Sequence, residues 1–498
     1  MKVATVSAIR AMDKYCVEEL KIPGIVLMEN AALKVLKHIN PLHQHFVVIC
    51  GCGNNGGDGF ALARHLYVEK KLLEVFFIGS EEKMSEDCMK NYLILKNMGI
   101  KVVRISNLED MNELREALDR CETAVDAIFG TGLIRELEGI YASAISIINE
   151  NSHYILSIDV PSGFHSDKGM PLGTCIRANK TVSLQLYKKG FLAYGSDKYT
   201  GEIVVEDIGI PEAVIARYEE KLYILSDAMV KTVILPREKY SYKGDYGRVL
   251  VFAGSKGFTG AAYLTANSAV RSGSGLVTLC CKEELMNVMA IKLTEAMTVS
   301  LEDKERLLSL INRCEAVAFG PGMGDSEDTY DYLKLVLENT SVPVVIDADG
   351  INVLAHHSEA FKLLRGRAVL TPHMGEMARL TGLSIDYIRE NRLEVAADFA
   401  KSHGVITLLK GYNTVISDGE NTIINPTGNS AMASGGMGDC LTGIIVSLLG
   451  QGYEPLRAAA LAAYIHGRSG EKLSKEMFCV NATHVMEELP YTMREIQM

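Results

Sequence analysis

"FVVICGCGNNGGDGFALARHL", residues 46–66, is an unbroken apolar run, a glycine-rich turn and then apolar residues at helical spacing. That succession predicts a strand, a tight turn and a helix, the opening unit of a doubly wound α/β domain. Glycines at 51, 53 and 56 spell the G-x-G-x-x-G fingerprint of a dinucleotide-binding loop. The tip, however, holds Asn54, Asn55 and Asp58. Free N–H groups at a helix N-terminus attract anions, and a carboxylate there competes with a phosphate for the same place. The loop is therefore predicted to hold something other than a pyrophosphate.

Outward from this stretch, short β-branched runs recur with helical segments between them: "EVFFIG", "KVVRI", "AVDAIFG", "YILSIDV", "TVSLQL" and "EIVVEDI". Several are apolar throughout, as strands of a parallel sheet covered on both faces are. Between 215 and 235 the sequence turns polar and charged and the strand rhythm lapses. It resumes with "RVLVFAGS", "GLVTLCC", "AVAFGPG", "VPVVIDADG", "AVLTPH" and "GVITLLKG". Two α/β domains are expected, residues 1–220 and 225–498, as 498 residues exceed what one core usually supports. Their motifs do not repeat, so two different sites are expected.

Composition narrows the function. A net charge of −11 without a clustered run of Lys and Arg argues against a nucleic-acid partner. The 11 cysteines are scattered, with no C-x-x-C, and read as reduced and structural. No apolar run approaches membrane-span length, and the apolar start of the chain is broken by Arg10 and Asp13, so a cytoplasmic location is expected.

In an open α/β sheet ligands collect at the carboxyl ends of strands. Three polar clusters of the first half fall there: Asn54 to Asp58, "DAIFGTGLIRELEG" from Asp126, and "SIDVPSG" from Ser157. Asn55, Asp126 and Ser162 offer oxygen, the ligand type for a hard cation. "GTGLIRE", from Gly130, offers backbone N–H groups for an anion. Each loop alone is also compatible with a structural turn, and Asp159 with a cap; the agreement of three loops favours a site.

At these residues the first half resembles the NAD(P)H-hydrate epimerases. The resemblance implies a potassium ion at Asn55, Asp126 and Ser162. It implies a hydrated dinucleotide bound by Asn54, Asn55, Gly56, Gly57 and Asp58, by Gly130, Thr131, Gly132, Leu133, Ile134, Arg135 and Glu136, and by Tyr141 and Asp159. Asp159, a strand-end carboxylate at the family's substrate position, is expected to be the acid–base group.

In the second half, "NSAMASGGMGDCLTGII" sets Gly435, Gly436 and Gly438 before Asp439 and an apolar helix. Such a loop can cradle phosphoryl oxygens while Asp439 accepts a proton from an attacking hydroxyl. Its order resembles the anion-hole motif of ribokinase-like enzymes, which implies a ribokinase-like α/β fold beside the Rossmann-like doubly wound α/β/α sandwich of the first half. "TPHMGEMARLTG" retains the superfamily's glutamate as Glu376, placed to organise Mg2+ through water, but carries His373 where sugar kinases have Asn. That departure, with "GPGMG", "DADG" and "KGYNT", resembles the NAD(P)H-hydrate dehydratases. The resemblance implies that Ala261, Gly322, His373 and Asp439 contact the hydrate. It implies that Lys410, Gly411, Tyr412, Asn413, Thr414 and Gly438 contact the nucleotide, ADP or ATP, and that the chain forms a homo-oligomer.

The combined expectation is a bifunctional repair enzyme: epimerisation of hydrated NADH or NADPH by the first half, and ADP-driven dehydration of the S form by the second. Two other classes fit parts of the pattern, a small-alcohol kinase with a regulatory domain and a non-catalytic nucleotide-sensing pair.

Overall fold

The computed structural model describes residues 1–498, which form two compact units, Met1–Glu220 and Lys221–Met498. In the first, seven strands run in parallel: β1 (His45–Cys50), β2 (Leu72–Ile78), β3 (Val102–Ile105), β4 (Thr123–Ala127), β5 (Ile155–Ile158), β6 (Lys180–Leu184) and β7 (Glu202–Glu206). Their spatial order is β3-β2-β1-β4-β5-β6-β7, so the order reverses between β1 and β4. The opening stretch shows why the sheet is buried on both sides. Phe46, Val48 and Cys50 pack with the helices Gly24–Leu36, Asn54–Val68 and Glu86–Asn97, while Val47 and Ile49 pack with Met111–Arg120 and Gly139–Asn151. Alternate side chains of a strand point to opposite faces, so a continuous apolar run feeds two cores.

The second unit holds a ten-stranded sheet. In chain order its strands are β8 (Leu222–Ile224), β9 (Arg248–Phe252), β10 (Leu276–Cys281), β11 (Met297–Ser300), β12 (Ala316–Phe319), β13 (Val344–Ile346), β14 (Ala368–Leu370), β15 (Ile406–Leu409), β16 (Thr414–Ser417) and β17 (Thr422–Asn425). The spatial order is β8-β17-β16-β15-β14-β13-β12-β9-β10-β11, with only β16 running against the rest. The helix Met437–Gly450, buried from Cys440 onward, packs in one core with Thr259–Arg271, Pro455–Leu473 and Ala482–Gln497. The boundary stretch carries no strand rhythm in sequence, yet Leu222–Ile224 closes the edge of this sheet beside Thr422–Asn425. At three residues it is too short for a periodicity to register.

The glycines of the opening loop act chiefly through close packing. A Cβ on Gly56 would lie 1.9 Å from the Gly51 carbonyl oxygen, whereas one on Gly53 would meet nothing within 4 Å. Gly56→Ala is therefore expected to destabilise the first unit by about 1–3 kcal/mol through overpacking, and Gly53→Ala to leave its unfolding midpoint nearly unchanged. Denaturant unfolding of the two variants measures the difference.

Candidate active sites

The first site is a cavity of about 580 Å³ at the carboxyl ends of the first sheet, where the strand order reverses. Asn54, Asn55 and Asp58 enter it from the helix after β1, Gly130 to Arg135 from the loop after β4, and Asp159 from the end of β5. The three predicted loops thus share one pocket. Gly56, Gly57, Glu136 and Tyr141, also predicted as ligands, do not reach its lining. Gly56 and Gly57 are buried against the Gly51 backbone and the Met28 side chain, Glu136 faces solvent, and the Tyr141 ring lies 5.0 Å from that of Phe129.

Asp126 and Ser162 are fully buried and joined to each other. One Asp126 oxygen accepts from Ser157 Oγ and the Ser162 N–H, each at 2.8 Å; the other accepts from Ser162 Oγ. Burial without a positive partner raises the Asp126 carboxyl above its ordinary range, against the pull of these donors. Asn55 is buried too, and neither its amide oxygen nor its nitrogen has a protein partner. A carboxylate without a positive partner, a hydroxyl and an orphaned amide oxygen are the donor types that suit a hard monovalent or divalent cation.

Asp159 sits at φ +66°, the left-handed region, which Asp tolerates better than most residues. Its Oδ1 is 2.7 Å from Lys188 Nζ and accepts from the Leu184 N–H at 3.2 Å. Lys188, 1% exposed, also donates to the carbonyls of Leu184 at 2.6 Å and Leu186 at 3.1 Å. Lys188 escaped the sequence reading because one lysine beside another in "LYKKG" gives no sign of which is buried. Burial, then Asp159 and Asp13, push the Asp58 carboxyl well above the usual range.

The second site gathers at the ends of β13, β14 and β15. Lys410, following β15, holds Asp347 at 2.7 Å, and Thr442 Oγ1 donates to the other Asp347 oxygen at 2.8 Å. Burial opposes the Asp347 charge, but Lys410 and the Thr442 and Thr371 hydroxyls outweigh it and hold the carboxyl below its ordinary value. Burial likewise opposes the Lys410 ammonium, and Asp347 and Glu376 outweigh it, holding that group above its ordinary value. Asp347 opens "DADG", noted in the sequence only as a strand-end turn.

Above this pair begins the helix Met437–Gly450. Gly436 precedes it at φ +86°, and no side chain caps its first N–H groups, so they face outward as an anion site. A Cβ on Gly438 would lie 3.3 Å from Lys410 Nζ and 3.4 Å from Asp347 Oδ2. Glycine there leaves the cradle open over the lysine. Asp439, in the same turn, is pushed up to about 7 by burial and then by Asp347, with Lys410 opposing.

His373 caps the helix Met374–Thr381. Its Nδ1 accepts from the N–H groups of Gly375 at 2.9 Å and Glu376 at 3.2 Å, while Glu376 Oε2 accepts from the His373 N–H at 2.8 Å. This is a capping box with imidazole in place of the usual short polar side chain. It also fixes Glu376, whose Oε2 lies 3.9 Å from Lys410 Nζ. Gly322, at φ +65°, lies against Ala261, whose Cβ is 3.0 Å from where its own would be. Lys410 to Thr414 form the turn into β16, with Gly411 and Asn413 at positive φ and Tyr412 exposed.

Residues 249–491 match a family model described as NAD(P)H-hydrate dehydratase, and residues 24–190 one described as YjeF-related protein N-terminus. The bifunctional NAD(P)H-hydrate repair enzyme of Moorella thermoacetica is 38% identical over 100% of this chain and 97% of its own. That of Thermofilum pendens is 34% identical over 100% of this chain and 97% of its own. Among solved structures, a ribokinase-like superfamily protein from Enterococcus faecalis aligns with a TM-score of 0.53 at 28% identity, covering 56% of this chain and 98% of that one.

The Asp439 carboxyl binds its proton more tightly in the fold than in the unfolded chain, so its contribution to stability is lost as pH rises from about 4 through about 7. Asp439→Asn removes that loss. Its melting temperature should exceed that of the parent by several degrees at pH 8 and match it at pH 4, measured by differential scanning calorimetry.

Proposed function

The chain belongs to the bifunctional NAD(P)H-hydrate repair enzymes, and on that premise we propose that the first unit interconverts the R and S hydrates of NADH and NADPH while the second dehydrates the S form at the expense of ADP. The substrate carries a hydroxyl at C6 of its reduced nicotinamide ring. Hydroxide is a poor leaving group and a phosphate ester a good one, which is why a phosphoryl-transfer site serves a dehydratase. The hydroxyl oxygen attacks the terminal phosphoryl group of ADP, Asp439 takes the hydroxyl proton, and AMP leaves. The C6–O bond then breaks with its electron pair on phosphate, C5 loses a proton, and the C5–C6 double bond of the reduced cofactor returns.

The observation that carries this reading is the uncapped helix start at Met437, with Asp439 in its first turn and Gly438 open over the Lys410–Asp347 pair. The phosphoryl group would rest against the free N–H groups, with Lys410 opposite. Lys410 to Thr414 would meet the rest of the nucleotide, and Ala261, Gly322 and His373 the hydrate. Glu376 is already engaged by His373 and Lys410, so Mg2+ would be held mainly by the nucleotide phosphates, where it would neutralise charge during transfer. In the first unit Asn55, Asp126 and Ser162 fit K+, which would anchor the substrate-binding loops by its charge; Asp159 exchanges protons with the hydrate.

With Asp159→Ala, ADP-driven repair of pure S hydrate is expected to run normally. A mixture of epimers should give a fast phase matching the S fraction and a slow tail set by spontaneous epimerisation, followed by reduced-nicotinamide absorbance. A single fast phase would remove Asp159 from the mechanism. Asp439→Asn should reduce dehydration about 10²- to 10⁴-fold, the usual loss with a general base, with nucleotide affinity by calorimetry nearly unchanged.

A further inference from the structure

The helix Val6–Glu18 lies outside the three loops that the sequence singles out, yet it brings Arg10 and Asp13 into the first cavity. The other charged groups lining that cavity are Asp58, Arg135, Asp159 and Lys188. Arg10 is committed to the loop after β4, donating to the Gly132 carbonyl at 3.4 Å. Asp159 is committed to Lys188 and the Leu184 N–H. Asp13 differs from both. Its side chain is exposed, has neither a hydrogen bond nor an ion pair, and opens onto the cavity. Partial desolvation, then the charge of Asp159, push it up to about 6, with Lys188 opposing. A free carboxyl and an ion-paired one thus share a single chamber.

We propose that Asp13 is the second acid–base group of the first site, acting on the C6 hydroxyl from the face opposite Asp159. The proposal rests on the epimerase reading above. Inverting C6 requires oxygen to leave one face and return to the other. In one direction Asp13 protonates the hydroxyl, and the C6–O bond breaks with its electron pair leaving on water. The ring nitrogen lone pair forms a C–N double bond. A second water then adds from the Asp159 face, Asp159 takes its proton, and the C–N π pair returns to nitrogen. In the other direction the two carboxyl groups exchange roles. Each inversion replaces the C6 oxygen by one from solvent.

The test uses the full-length protein, chromatographically pure R hydrate, no ADP, and buffer in H2¹⁸O. For the parent, each molecule of S hydrate formed should carry one solvent oxygen. Asp13→Asn should lower kcat for inversion about 100-fold or more, leave KM little changed and remove the alkaline limb of the pH profile. Its ADP-driven dehydration of pure S hydrate should be unaffected. Asp13→Glu should restore part of the rate. Inversion by Asp13→Asn within about threefold of the parent, or inversion without solvent oxygen, overturns the proposal. If Asp13→Asn also loses dehydration through misfolding, the glutamate variant decides: a pH profile unmoved from the parent's overturns it. Asp159→Ala, measured in parallel, separates the two readings. Loss of inversion there with full activity in Asp13→Asn removes Asp13 alone, full activity in both removes both carboxyl groups from the mechanism, and a parent that does not invert R hydrate removes the epimerase assignment of the first unit.

Discussion

A lysine held 2.7 Å from an aspartate at a strand end underlies both units, the fully buried Lys188 with Asp159 and the partly buried Lys410 with Asp347. Taking an ammonium out of water costs several kcal/mol, and the cost is met only if the partner is close and the remaining protons are bonded. Carbonyls of Leu184 and Leu186 complete one pair, and Thr442 secures the acid of the other. Each lysine is then outnumbered. Asp13 and Asp58 crowd the first pair and Asp439 the second, so a carboxyl is left without a full counter-charge and takes up a proton more readily than in water. Two sheets of different strand order arrive at the same electrostatic device.

What could be read from the sequence was local. "FVVIC" declared a strand covered on both faces because every residue is apolar, and "SGGMGDC" declared an open helix start because glycines there leave no side chain over the N–H groups. Asn55, Asp126 and Ser162 were recognisable as oxygen donors at strand ends, and the structure joins Asp126 to Ser162. Residues whose role depends on distant partners were not legible. Asp13 is one acid on an amphipathic helix until the fold carries it to Asp159, and Asp347 is a turn residue until Lys410 reaches it. Gly56 and Gly57 show what a glycine leaves open in sequence: it admits close approach, and here neighbouring protein atoms, the Gly51 backbone and the Met28 side chain, occupy the space a Cβ would take. In sequence His373 marks a departure from kinases; geometry adds that its imidazole caps the helix that presents Glu376.

Backbone strain follows the same map. Of the seven non-glycine residues at positive φ, Asp159 and Gln185 line the first cavity, and Ala348 and Asn413 adjoin the second site. Such conformations persist where surrounding contacts over-determine them, and they gather where side chains must be aimed. The rigid alternative is visible too: Asp439 stands in the first turn of a helix whose remaining turns are wholly buried, so its carboxyl is carried by one of the least deformable parts of the unit.

The pairing of Leu222–Ile224 with Thr422–Asn425 has a consequence for how the chain is made. On the ribosome the first unit is complete when residue 220 emerges, and its sheet can close at once. The strand that follows has no such opportunity. Its neighbour in the sheet is translated only after all the other strands of that unit, so Leu222–Ile224 waits as an unpaired, apolar edge through most of the second unit's synthesis. The stretch just past the finished unit is where a nascent-chain chaperone has most to protect, and the second sheet gains its last edge near the end of translation.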